Sequence, residues 1–179
     1  MLLPKGQYLV KDFIDVTIED TNTKTSNDLV LVYKDKQTIL SHNQLLNLID
    51  TKVNLDMHCV DGWSVLNNEF EGISLGKIIN IMGVLNFEYI GLESNGGFKS
   101  FIYKDDCTDS FLCLKLNGNV LNKPRGFPIR FIAPKLYAYK WVKYLKKLTF
   151  TDKKPYGYWE NRGYNARARV DLQERFEKD

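Results

Sequence analysis

Met57-His58-Cys59-Val60-Asp61-Gly62-Trp63-Ser64-Val65 places a thiol between a strand-like run and a Gly-Trp turn. The run Val53 to Met57 delivers Cys59 to a strand end, His58 offers an imidazole beside it, and Gly62 allows a tight turn over it. Free cysteine is among the most buried residue types, so an inert core thiol is the ordinary reading of such a position. The other reading is a ligand, because a thiolate in this place suits a soft, redox-active metal.

Outward from this turn, short strands and helices alternate. Leu29-Val30-Leu31-Val32-Tyr33 is a β-branched and aromatic run with Thr38-Ile39-Leu40 as its hairpin partner. Ser41 and Gln44 fit a capping box ahead of Leu45, Leu46, Leu48 and Ile49. Ser74 caps a second helix through Leu75, Ile78, Ile79 and Met82, which Gly83 stops. Strands are predicted at Phe87 to Leu92 and Phe98 to Tyr103 around a Ser94-Asn95-Gly96-Gly97 turn, and at Phe111 to Leu116, which an Asn117-Gly118-Asn119 turn joins to Val120. Ile129 to Ala133 reads as a buried strand stopped at Pro134 and Leu148 to Thr151 as a last short one; Leu136 to Leu145 is a short helix or an irregular turn. Residues 8 to 19 read as an entry segment and Asp20 to Asp28 as a polar loop. Lys153 to Gly163 is loop-like, and Ala166 to Glu177 is predicted to be a polar terminal helix.

The 179 residues suffice for one domain with a core large enough to hold a ligand. An apolar fraction of 44% and aromatic content of 13% exclude disorder. Three cysteines, without a CxxC pair or a CxxCH sequence, assemble neither a zinc site nor an iron–sulfur cluster by themselves. A reducing cytoplasm is the expected compartment, with neither a leader nor a run of about eighteen apolar residues. The net charge of +3 is unevenly spread: Lys123 to Arg169 holds thirteen of the 25 Lys and Arg but two of the 22 Asp and Glu. That end of the chain attracts anions or is a solvated basic surface. Within it, Arg130 lies in the apolar run Phe127 to Ala133, where a guanidinium needs an acidic partner or an anionic ligand.

Several ordered motifs together carry a resemblance. His58-Cys59-Val60-Asp61-Gly62-Trp63-Ser64-Val65 followed by Phe70-Glu71-Gly72-Ile73, the block Arg125-Gly126-Phe127-Pro128-Ile129-Arg130 through Tyr139-Lys140-Trp141-Val142-Lys143, the tail Tyr156-Gly157-Tyr158-Trp159-Glu160-Asn161-Arg162-Gly163-Tyr164 and the opening Leu3-Pro4-Lys5-Gly6-Gln7 are similar to the sulfite-oxidase-like molybdopterin oxidoreductases. Phe70 stands where that family has Trp, and Phe13 to Asp28 offers no equivalent of the Asn, Arg or His motif with which many relatives touch the cofactor.

The resemblance implies an α+β fold of mixed and antiparallel sheets with short helices, forming one catalytic domain over 1–179, with 1–28 an entry segment and loop and 164–179 a C-terminal extension. It implies a mononuclear molybdenum (or tungsten) molybdopterin cofactor. Cys59 is then the metal's thiolate; Arg130, Lys140, Lys143 and the backbone at Trp141 and Val142 hold the pterin and its phosphate. Ser94 falls near a position whose hydroxyl contacts the cofactor, although capping its own turn is an equal reading. His58 either donates to an oxygen of the cofactor or bonds a backbone carbonyl. The implied reaction is oxygen-atom transfer, or a related two-electron step, on a small substrate. The chain holds no haem or iron–sulfur motif, so electrons pass to an external carrier. No membrane segment or nucleic-acid partner is expected, and the oligomeric state is open. The competing readings are a catalytically degenerate member of that family and a nucleic-acid-binding module that uses the basic, Tyr-rich C-terminal half.

Overall fold

Two sheets account for the strand-rich pattern, with the core between and around them. The protein, seen as a computed structural model, is described over residues 3–15 and 26–177. Most of the predicted polar loop at Asp20 to Asp28 therefore lies outside the described residues. The first sheet has six strands: β1 (Tyr8–Leu9), β4 (Thr51–His58), β5 (Trp63–Ser74), β8 (Phe111–Leu116), β9 (Asn119–Val120) and β10 (Arg130–Ile132). The second orders β3 (Lys36–Leu40), β2 (Leu29–Tyr33), β11 (Leu145–Thr151), β6 (Tyr89–Ser94) and β7 (Lys99–Tyr103) side by side. Its β2–β11 pair is parallel and its other pairs are antiparallel.

The long strand β5 organises the first sheet. One edge pairs with β4; the other pairs with β1 in parallel at its start and with β8 at its end. The sequence pattern does not reveal β5, because Asn67-Asn68-Glu69 interrupts its alternation and the register shifts between Glu71 and Gly72. Gly72 is required there: a Cβ would lie 2.0 Å from the Leu112 carbonyl oxygen. The two helices form as their caps predict. Ser41 and Gln44 make the reciprocal capping-box bonds of α1 (His42–Leu46), and α2 (Leu75–Met82) starts at Ser74 and ends at left-handed Gly83. Among the described residues, no helix is long and apolar enough to cross a membrane.

Two stretches differ from the sequence reading. Leu136 to Leu145 is an irregular turn containing a single 3₁₀ turn at Ala138–Lys140, and β11 begins at Leu145 rather than Leu148. The predicted terminal helix at Ala166 to Glu177 is absent. Ala168 and Gln173 adopt left-handed backbone (φ 65° and 56°), the Asn165 side chain accepts the Arg167 and Ala168 amides, and isolated bridges tie Arg169 to Leu136 and Phe176 to Tyr164. The segment lacks an apolar stripe at helical spacing. Local Asx geometry and pairing to distant chain take its place.

Candidate active site

Where the ends of β4, β5 and β10 meet the turn before β11, the chain surrounds a cavity of about 250 Å³. Its first wall is the cysteine turn: Met57, Cys59, Val60, Asp61 and Trp63. The Cys59 amide donates to the Trp63 carbonyl (2.8 Å) and the Gly62 amide to the Cys59 carbonyl (3.1 Å). The turn needs glycine at 62, where φ is +98° and a Cβ would meet the Gly6 carbonyl at 3.0 Å. Gln7 braces it from the N-terminal segment. Its amide nitrogen donates to the Cys59 carbonyl (2.9 Å) and its oxygen accepts from Ser64 Oγ (2.9 Å), which itself bonds His58 Nδ1 (2.8 Å). His58 is thus an outer support of the turn rather than a cavity-lining group, and burial lowers its pKa. Burial pushes the Cys59 thiol up to about 12, and its Sγ donates to Asp61 Oδ2 at 3.6 Å. Without a metal, Cys59 is a protonated thiol.

The second wall is cationic. Arg130 on β10 is 4% exposed and lines the cavity over the Trp141 ring, with its Cζ 5.7 Å from the centroid. Its Nη2 donates to Met57 Sδ at 3.6 Å; Nε is buried without a partner. No carboxylate pairs with it among the described residues, and burial lowers its pKa to about 10. Trp141, Val142 and Lys143 join this wall. Gly126, at φ +104°, lets Lys143 pack against the chain, since a Cβ there would stand 3.0 Å from Lys143 Cβ. Lys143 Nζ donates to the Pro124 carbonyl (2.9 Å). The amides of Trp141 and Val142 close the local turn onto Ala138 and Lys140 carbonyls, so these two residues offer the cavity side chains rather than the backbone donors that the sequence suggested.

The structure does not bring Lys140 to the cavity. Its buried ammonium faces the opposite way, donating to the Phe101 carbonyl (2.9 Å) and to Glu160 Oε1, and desolvation lowers its pKa while Glu160 raises it. The irregular turn rotates Lys140 and Lys143 to different sides, and of the two Lys143 is the one that lines the cavity. Ser94 is also outside the lining: its Oγ accepts from the Phe98 amide (3.0 Å), the turn-capping alternative.

Sequence reasoning missed the third wall. Phe13 and Ile14 of the entry segment line the cavity, and the flanking Asp12 and Asp15 pair with Arg125 (3.2 and 2.6 Å). A contact between residues 110 positions apart leaves no local signal. Phe98, Tyr139, Trp159 and Tyr164 complete an aromatic side, with Trp159 and Tyr164 rings 4.7 Å apart. Burial, followed by Asp61 and Cys59, raises the Tyr164 pKa, so its phenol stays protonated.

Residues 27–159 match the oxidoreductase molybdopterin-binding domain model. The chain belongs to the oxidoreductase molybdopterin-binding domain family. It is an oxidoreductase domain whose cofactor is molybdopterin. Relatives in this family include an uncharacterized oxidoreductase, YuiH, of Bacillus subtilis, 33% identical over 79% of this chain and 76% of its own. A putative protein-methionine-sulfoxide reductase subunit, YedZ1, of Azospira oryzae is 31% identical over 60% of this chain and 42% of its own; sulfite oxidase of Arabidopsis thaliana is 25% identical over 58% and 32%. The crystal structure of sulfane dehydrogenase SoxCD from Paracoccus pantotrophus matches the fold with a TM-score of 0.64 at 19% identity, over 73% of this chain and 40% of its own. The α+β architecture is therefore the sulfite-oxidase-like one.

The cavity fits the family's cofactor on its own chemistry. The unpartnered, buried Arg130 Nε is a donor for an anionic or oxygen-rich group. No group of three or more His, Cys, Asp or Glu gathers among the described residues. A metal at Cys59 would thus take its other donors from a non-protein group, such as a pterin's sulfurs.

Proposed function

We propose that this domain is a mononuclear molybdenum (or tungsten) oxidoreductase that transfers an oxygen atom, or performs a related two-electron step, on a small substrate. One observation carries this reading: a buried arginine without an acidic partner lines the same cavity as a thiol on a rigid turn. Bound there, the cofactor supplies a two-electron redox couple and an exchangeable coordination position. Cys59 would be the metal's protein ligand, losing its proton to the metal's charge. Arg130 would hold pterin or phosphate oxygens through its planar fork, and Lys143 and Arg125 would face the phosphate. Gln7, Ser64 and Gly62 hold the turn so that Cys59 does not move between states. The aromatic side excludes water, and electrons leave to an external carrier.

The basic C-terminal half supports this enzyme reading over a nucleic-acid-binding one. Arg125, Arg130 and Lys143 line the cavity, and Lys140 and Arg167 are held in ion pairs with Glu160 and Asp106.

Protein purified from a host that makes the cofactor is expected to carry about one molybdenum or tungsten per chain, by elemental analysis, with pterin in the same fractions. Cys59→Ser is expected to retain the fold by circular dichroism and to lose turnover with an artificial electron donor or acceptor. An unchanged rate would remove Cys59 from the mechanism.

A further inference from the structure

The entry segment closes one side of the cavity and is held there by charge. Phe13 and Ile14 line the cavity, as do Arg125 and Lys143. On either side of them, Asp15 Oδ1 accepts from Arg125 Nη1 (2.6 Å) and both Asp12 oxygens accept from Arg125 Nη2 (3.2 Å); Lys143 Nζ lies 4.0 Å from Asp15 Oδ1. The guanidinium also lies over the Phe13 ring, with its Cζ 5.0 Å from the centroid. Burial of the two sets of partners is unequal. The Arg125 and Lys143 side chains are 16% and 17% exposed, whereas those of Asp12 and Asp15 are 73% and 51% exposed. The cations belong to the cavity wall, and the acids are attached to it from outside.

Exposed ion pairs are weak and screened by salt, so they hold the segment without fixing it. A phosphate monoester, with more charge and three acceptor oxygens, is a stronger partner for an arginine fork than either carboxylate. At about 250 Å³ the cavity also falls short of the roughly 300–1,000 Å³ typical of pockets for drug-sized ligands. A ligand of that size has to displace a wall. The chain is anchored as far as Val10, whose amide donates to the Ser64 carbonyl (3.0 Å), and Asp12 to Asp15 lie beyond that anchor.

Resting on the assignment of Arg125 and Lys143 to the cofactor's phosphate, we infer that Asp12 to Asp15 form a displaceable strap. Its two carboxylates hold the phosphate's place on Arg125 and Lys143, and a phosphate monoester binds by releasing them and moving Phe13 and Ile14 out of the cavity. The strap therefore competes with the anion. It lowers the anion's apparent affinity in proportion to how far the closed form is favoured.

The cofactor-free chain, from a host that does not make the cofactor, is titrated with inorganic phosphate at constant ionic strength. All three tryptophans, Trp63, Trp141 and Trp159, line the cavity, so their fluorescence reports binding. Asp12→Asn combined with Asp15→Asn removes charge from two exposed side chains and keeps an acceptor for the Phe13 amide, which Asp12 Oδ1 accepts at 2.7 Å. This double variant is expected to bind phosphate about tenfold tighter than the natural chain. Chymotryptic cleavage after Phe13 reports the strap itself. Saturating phosphate is expected to speed it about tenfold in the natural chain, and cofactor-loaded protein without added phosphate is expected to be cleaved as fast. Phosphate bound by neither protein, or no tighter by the double variant, would overturn the strap while the cofactor reading stands. Cleavage that phosphate and cofactor leave unchanged or slow would do the same. Cofactor retained undiminished in Arg125→Gln combined with Lys143→Gln would remove the phosphate assignment itself, and the strap with it.

Discussion

Arg130 shows most directly how a functional residue opposes stability. Its guanidinium is buried under Trp141 with an unpartnered Nε, which costs free energy until an anionic ligand arrives. Arg130→Met is therefore expected to stabilise the cofactor-free protein by about 1–4 kcal/mol. The same variant should lose pterin when purified from a cofactor-making host. Thermal unfolding and pterin analysis check both halves; a less stable variant that kept its cofactor would contradict this role. Much of this was legible in the sequence, since an arginine inside Phe127 to Ala133 demands a partner. Which partner was not, because an ion pair with a distant acid and an open cavity look alike along the chain. Asp61 was visible only as one letter of the cysteine motif. Its relation to the sulfur depends on how the Gly62 turn closes.

At the scale of elements, the pair Lys140–Glu160 joins the turn bearing Trp141 to Lys143 with the C-terminal loop bearing Trp159 and Tyr164. Ser100 donates to the same carboxylate oxygen (2.7 Å), and Gly157 leaves room for the other, which would stand 2.2 Å from a Cβ at that position. Both charges are almost fully buried, so removing one strands the other. Glu160→Gln is expected to cost about 3–5 kcal/mol, whereas Lys140→Met combined with Glu160→Gln should cost clearly less than the two single changes added together. Denaturant unfolding of the four proteins in a double-mutant cycle measures this; additive effects would mean that the pair does not act as a unit. The cap-defined helices and the β-branched strands were legible because their signals are local. The strand β5 and the two lysines were not. Asparagines and a register shift break the alternation of β5, and the facing of Lys140 and Lys143 follows from Trp141 (φ −87°, ψ 73°) and left-handed Tyr144 (φ 55°), not from a helical period.

On the scale of the whole molecule, the N-terminal segment reaches the cavity through Phe13 and Ile14, and the C-terminal segment packs on the N-terminal one, where Arg175 donates to the Lys5 and Gly6 carbonyls. The C-terminal segment is held by Arg169, whose Nε and Nη2 bond the two Glu174 oxygens (2.9 and 2.7 Å). The hydrogen bond from Arg169 holds the Glu174 carboxyl below its ordinary value of 4.5. A depressed native pKa contributes stability that is fully present above 4.5 and is lost as pH falls through the folded value. The melting temperature is therefore expected to decline on the acid side, less steeply in Glu174→Gln than in the natural chain, in scans from pH 7 to pH 3. Identical slopes would remove this pair from the acid response. The sequence by itself determined the chemistry: a thiol on a glycine turn, a buried arginine, and a basic stretch ordered as in the molybdopterin-binding oxidoreductases. These signals are local in the chain. Only the tertiary structure decided which charges share the cavity. Asp12 and Asp15 beside Arg125, Gln7 behind Cys59, and a tail folded back as bridges rather than a helix are contacts between distant parts of the chain, set by packing that no residue spacing encodes.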